Sequence, residues 1–235
     1  MIHRTVFSIL PVALLMLAVT ACQPVSAAGD VTLLPAPRVD AAKTVAHADQ
    51  VAVFAGGCFW GIEAVFRHIK GVTQATAGYS GGSAGTAHYG AVSGGDTGHA
   101  ESVRVHFDPA RVSYGTLLQA FFSVALDPTE LNRQGPDSGS QYRSVIFYAN
   151  AEQQQIATAY LAQLTAARSF PAPIVTQLVP LKAFYPAEAY HQNYFEKHPN
   201  APYIVYNDAP KVAHLKQLFP DLYQPSRQFV EVQLH

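Results

Sequence analysis

The residues from Val51 to Ile69 constrain this chain more than any other stretch. Val51-Ala52-Val53-Phe54 is a short apolar run that reads as a buried strand, and Ile62, Val65, Phe66 and Ile69 recur at the spacing of one helix face. Between the two lie Gly56-Gly57-Cys58-Phe59-Trp60. Cys58 thus sits where a strand ends and a helix begins, facing free backbone amides and the positive end of the helix dipole. A thiol so placed is expected to ionise more readily than a free cysteine. The glycine pair allows a sharp turn that leaves the sulfur uncovered. That favours a reacting group over the other reading, a small buried hydrophobe.

Composition removes several classes of function. Lys and Arg number 15 against 16 Asp and Glu, a formal net charge of -1, so the chain lacks the basic footprint of a nucleic-acid binder. Cys22 and Cys58 are the only cysteines of the 235 residues, which excludes a disulfide framework and an all-cysteine metal cage. The ten histidines form no HExxH, and no metal site is expected.

The N-terminus reads as a leader. Arg4 precedes an apolar run from Val6 to Val19, too short to span a bilayer, and residues 1–21 are assigned to a signal peptide. Val19-Thr20-Ala21-Cys22 resembles the lipobox of bacterial lipoproteins, which would make Cys22 an acylated first residue; Val25-Ser26-Ala27 suits ordinary cleavage before Ala28. Either way the expected location is the periplasmic side of the cell envelope, with a lipid anchor through Cys22, outer-membrane by the hint of Gln23, in the first case. Residues 22–49, with Pro24, Pro35 and Pro37, read as a flexible linker, and 50–235 as one catalytic domain.

Within that domain, Val72 to Ala77 reads as a second strand entering a Gly-rich loop that begins at Gly78. The loop has no GxGxxG and no Walker spacing, so it is a wound surface loop rather than a phosphate cradle. Glu101 to Phe107 alternates cleanly, and Glu101 shares the inward face with Val103, Val105 and Phe107. A carboxyl on that face loses solvent, which raises its pKa and suits a proton donor. Ser113 is placed to cap a helix that Asp127-Pro128 stops; a polar loop over 132–143 leads to a strand over 144–148. A helix over 151–168, a strand over 174–181 and short helices over 187–197 and 211–219 complete the order, which points to a two-layer α+β sandwich.

Six blocks carry a wider resemblance: GCFWG at Gly57 to Gly61, GYSGG from Gly78, TGHAE ending at Glu101, DPT from Asp127, NRQGPDSGSQYRS from Asn132 to Ser144, and AEAYHQNY from Ala187 to Tyr194. Together they closely resemble the A-type peptide methionine sulfoxide reductases, over about residues 51 to 223. The resemblance implies an α+β sandwich with a ferredoxin-like core, and reduction of the S epimer of methionine sulfoxide, free or in proteins. It makes Cys58 the nucleophile, Phe59 and Trp60 the walls of a pocket for the substrate methyl group, and Glu101 the acid that protonates the sulfoxide oxygen. Tyr89 and Tyr142 match tyrosines that hydrogen-bond that oxygen, and Asp137 matches a supporting aspartate. Leu126, Pro136 and Ser140 depart from the family's usual His, Asn and Thr; Pro136 removes an amide donor beside Asp137. Glu63 and His99 read as structural or solvated.

Many relatives next form a disulfide with a downstream cysteine, and this chain has none after Cys58. The expected sulfenic acid must then be reduced by an external thiol, a thioredoxin-like protein or a small thiol, with no bound cofactor. Linker length alone would let Cys22 reach Cys58, and lipidation would forbid it. A monomer is expected. Two other functions stay open on the residues alone: a thiol peroxidase, which needs no aromatics beside the sulfur and no inward acid, and a non-enzymatic surface lipoprotein, indifferent to loss of the thiol.

Overall fold

In the computed structural model, which describes Met1, residues 32–41 and residues 49–225, strand β1 (Gln50–Ala55) is followed by helix α1 (Phe59–Arg67), β2 (Val72–Ser80) and the short α2 (Tyr89–Val92). Next come β3 (Ala100–Phe107) and α3 (Tyr114–Ala120), which widens into a π-helical turn over Phe121–Ala125. A small hairpin of β4 (Arg133–Gln134) and β5 (Asp137–Ser138) precedes β6 (Val145–Tyr148), α4 (Ala151–Ala166), β7 (Gln177–Pro180) and β8 (Tyr185–Pro186). Helices α5 (Tyr194–Lys197) and α6 (Ala209–Leu218) end the order. The signal peptide and the acylated Cys22 read from the sequence lie outside the described residues.

β1 runs inside a six-stranded sheet ordered β7-β6-β1-β3-β2-β8, antiparallel to β3 and to β6. The two outer strands differ: β7 is parallel to β6, and β8 is antiparallel to β2. The unit β1-α1-β2-β3-α3-β6, with its last strand beside its first, is the ferredoxin-like core expected, and the whole is a mixed sheet packed with helices, an α+β sandwich. The continuous apolar run of β1 follows from burial on both faces. Phe54 lies in the main core with Phe66, Leu117 and Phe121, while Val53 and Ala55 join Ala100, Val145 and Phe147 on the other face. Phe54 stacks on Phe66 at 5.0 Å and on Phe121 at 5.1 Å, contacts each worth about 0.5–1.5 kcal/mol beyond burial. As expected, Ser113 caps α3, its Oγ accepting from the Thr116 amide at 3.1 Å.

Three readings need correction. β2 continues to Ser80, so the Gly-rich loop does not start at Gly78; that glycine lies inside the sheet, where a Cβ would come within 2.4 Å of the Tyr185 carbonyl oxygen on β8. The helix expected over 187–197 is broken into a 3-10 turn at Ala189–His191 and the short α5, because Asn193 takes a left-handed φ of 57°. The stretch read as a free linker is docked over residues 32–41. Leu34 is buried in the core, Gln119 donates to its carbonyl at 2.7 Å, Tyr160 donates to the Pro35 carbonyl at 2.9 Å, and Asp40 accepts from the Gly115 amide at 2.8 Å. Apolar packing and backbone hydrogen bonding escape a composition argument when the segment has no period of its own.

Candidate active site

The turn between β1 and α1 is built for close packing. Gly57 has a φ of 99°, and a Cβ there would fall 2.6 Å from the Gln134 side chain of the β4–β5 hairpin. Cys58 follows as the residue that caps α1 with its backbone, and its side chain is 8% exposed. Glu101, at the start of β3, is 2% exposed and accepts a hydrogen bond from the Phe59 amide at 3.1 Å. The acid expected on the inward face is therefore beside the thiol, at the same helix N-terminus. Burial pushes its carboxyl up to about 8, the Phe59 amide pulls the other way, and Asp137 and Asp208 add to the rise.

The thiol itself corrects an expectation. The Trp60 amide bonds to the sulfur, as a helix start allows, and Lys211 also favours the thiolate, yet burial, then Glu101 and Asp208, outweigh them and push the Cys58 thiol well up. Its surroundings therefore favour the thiol, because a helix end is worth less than the hydration lost.

Aromatic rings surround the pair. Trp60 is half-buried, stacked on Tyr194 at 3.7 Å and edge-on to Tyr203 at 5.7 Å. Its indole N–H donates to His191 Nδ1 at 3.2 Å. Phe59 is almost wholly buried, 4.9 Å from the His191 ring and 5.9 Å from the Tyr79 ring, so it backs the site more than it lines it. Tyr89 and Tyr142 face the same space: burial first, then the charge of Glu101, raises both phenols, with Cys58 and Asp137 contributing to each. Asp137 accepts a hydrogen bond from the Tyr203 hydroxyl. Pro136 does not disturb it, because Gly135 takes the left-handed φ of 55° that the turn needs and Asp137 is bonded through its side chain.

Glu63 and His99 are structural. Glu63, 1% exposed, accepts from the Asn193 amide at 3.0 Å; His99 accepts from the Gly82 amide at 3.2 Å and its Nε2 meets the Ser83 carbonyl at 2.9 Å. Neither is solvated. Sequence reasoning missed Tyr203, Glu188, His191 and the pair Asp208 and Lys211. Glu188 accepts from Tyr79 Oη at 2.9 Å and from the Tyr89 amide at 2.8 Å, fixing the start of α2 and with it the Tyr89 ring. His191 and Glu188 lay inside the AEAYHQNY block, which marked the region without assigning roles; nothing local marks Tyr203, Asp208 or Lys211.

A buried thiol beside a protonated carboxyl, walled by aromatic rings, defines a thiol oxidoreductase site. A model of the peptide methionine sulfoxide reductase family matches residues 50–222. A peptide methionine sulfoxide reductase of Mesorhizobium japonicum is 58% identical over 76% of this chain and 91% of its own length. One from Synechocystis is 49% identical over 80% of this chain and 89% of its own length. Among solved structures, methionine sulfoxide reductase A of Corynebacterium diphtheriae has a TM-score of 0.56 at 32% identity, over 74% of this chain and 87% of that one. Yeast Mxr1 in its reduced form has a TM-score of 0.58 at 32% identity, over 72% and 94%. The chain belongs to the A-type peptide methionine sulfoxide reductase family and is an oxidoreductase.

Proposed function

We propose that this chain reduces methionine S-sulfoxide, free or in oxidised proteins, through a sulfenic acid on Cys58. The observation that carries the reading is the Glu101 carboxyl bonded to the amide of Phe59, the residue after Cys58, and held protonated to about 8. A sulfoxide oxygen leaves sulfur only once protonated. Glu101 gives its proton to that oxygen while Cys58 Sγ attacks the substrate sulfur, and the thiol's own proton returns to the carboxylate. The protonated oxygen then passes from the substrate sulfur to Sγ as the new Sγ–S bond breaks, so the substrate sulfur is reduced by two electrons and departs as methionine, and Cys58 is oxidised by two and holds the oxygen as Sγ–OH. Tyr89 and Tyr142, both kept neutral by their surroundings, donate to the oxygen as charge gathers on it, and Asp137 with Tyr203 steadies the opposite wall. Trp60, stacked and hydrogen-bonded, offers its ring face to the substrate methyl group, with Phe59 behind it.

The sequence holds no cysteine after Cys58, so recycling takes an external thiol, of a thioredoxin-like protein or a small molecule. Two thiols reduce the sulfenic acid, releasing water and one disulfide. We also place the enzyme, as a monomer, on the periplasmic side of the envelope, tethered through an acylated Cys22; the intact mass of the mature protein tests the acylation. One turnover with methionine sulfoxide and no reductant tests the chemistry. The expected product is one equivalent of methionine and one added oxygen on Cys58; methionine formed at an undiminished rate by Cys58→Ser refutes the reading.

A further inference from the structure

The first turn of α1 carries a feature that the reaction above leaves unused. Asp208, at the start of α6, is 0% exposed, and Lys211, one turn on, meets its Oδ1 at 3.3 Å with a side chain 18% exposed. The two are seated on Gly61, where a Cβ would lie 2.1 Å from Asp208 Oδ1 and 2.9 Å from Lys211 Nζ. Glycine ends the GCFWG block because this pair needs the space. Folding alone gives no reason for it. An ammonium against the positive end of a helix is electrostatically unfavourable, a buried carboxylate is costly even when paired, and Asp208 Oδ2 is buried without a hydrogen-bond partner.

What the pair does is set the potential at the sulfur. The charged groups acting on Cys58 are Glu101 from β3, Asp208 just before α6 and Lys211 in its first turn; the phenols of Tyr89 in α2, Tyr142 and Tyr203 feel the charge of Cys58 in turn, and Asp137 of β5 acts on Glu101. The carboxylates oppose a thiolate, and Lys211 favours it. We propose that Lys211, held in place by Asp208, is a positioning residue of the reaction: its ammonium offsets the negative charge on Cys58 Sγ when the thiol proton leaves. This rests on Cys58 being the reacting thiol. Asp208 fixes the ammonium on its short tether and opposes the thiolate itself, so the two side chains act on the sulfur with opposite signs.

That opposition gives the test. The rate of Cys58 alkylation by iodoacetamide, followed by peptide mass in the full-length protein, is measured against pH in Lys211→Gln, Lys211→Arg and Asp208→Asn. Lys211→Gln should move the profile up by about one pH unit, roughly a tenfold slower reaction below the midpoint, and Asp208→Asn should move it down. Lys211→Arg should leave it near the wild-type position. Single-turnover sulfoxide reduction by Lys211→Gln should slow with little change in KM. A merely structural pair would shift both neutralised variants the same way or neither, and either result overturns the proposal. Failure of the alkylation test leaves the sulfoxide chemistry standing, since that is tested separately by whether Cys58→Ser still turns over. Should Lys211→Gln not fold, the direction of the Asp208→Asn shift decides alone.

Discussion

Two buried glutamates meet at α1, Glu63 from within the helix and Glu101 from β3 at its start, and they differ in what surrounds them rather than in how buried they are. Glu101 and Glu63 are 2% and 1% exposed, and burial pushes both carboxyls up to about 8. Glu63 has Arg67 at 4.0 Å and receives the Asn193 amide, so its neighbours help an ionised form and it serves as a fastening for α5. Glu101 has one amide, and the other charges acting on it, Asp137 and Asp208, raise it further. A perturbed carboxyl thus occurs both within the helix and at its start, and only the one beside a nucleophile and an aromatic wall can deliver its proton to a substrate. The lesson is that a shifted pKa marks burial first, and function only when geometry supplies something to protonate.

The comparison breaks most readily by substitution. Glu101→Gln should lower sulfoxide reduction by about 10²- to 10⁴-fold while the protein stays folded, and Glu63→Gln should keep turnover within roughly twofold of wild type; steady-state assays with a thiol reductant distinguish them. Equal losses would mean that the two carboxyls are equivalent.

Stability against pH sharpens the same contrast. Both folded carboxyls hold their protons to about 8, whereas in the unfolded chain they lose them near the ordinary value of 4.5. The folded state therefore binds more protons across that interval, and stability falls as pH rises through it and levels off above. Denaturant midpoints should show a slope of up to about 1.4 kcal/mol per pH unit for each group, and either glutamine variant should remove one group's share. Here the two glutamates should behave alike, though they differ in catalysis.

The smallest effect is expected at Tyr203, which packs edge-on against Trp60. Tyr203→Phe removes the hydroxyl that Asp137 accepts and should reduce kcat/KM by roughly five- to tenfold, about 1 kcal/mol, with the melting temperature little changed. A loss as large as that of Glu101→Gln would move the proton donor to the Asp137 side.

What the sequence made legible was local or periodic. The period of α1 and the alternation of β3 put Cys58 at a helix start and Glu101 on the inward face, and both positions hold in the fold. The thiol's ionisation did not follow, because it depends on hydration lost to residues distant in sequence. Tyr203 and Asp208 reach the site through the π-helical turn over Ile204–Asp208, which also sets where α6 begins and so places Lys211; its course is set by packing on α1 and leaves no period to read. The docked segment over 32–41 was hidden for the same reason: nothing in its sequence distinguishes Leu34, which joins the core, from Leu33, which stays exposed.

Catalysis here depends on a neutral Glu101 passing its proton to the sulfoxide oxygen. The pH dependence of the single-turnover rate of Cys58 oxidation by methionine sulfoxide, in wild type and in Glu101→Gln, tests this most directly. The wild-type rate should fall as pH rises past about 8, where Glu101 ionises, and the variant should be slow with no such fall. A wild-type rate that keeps climbing through that range with the thiolate population, or a variant that retains the decline, would contradict it.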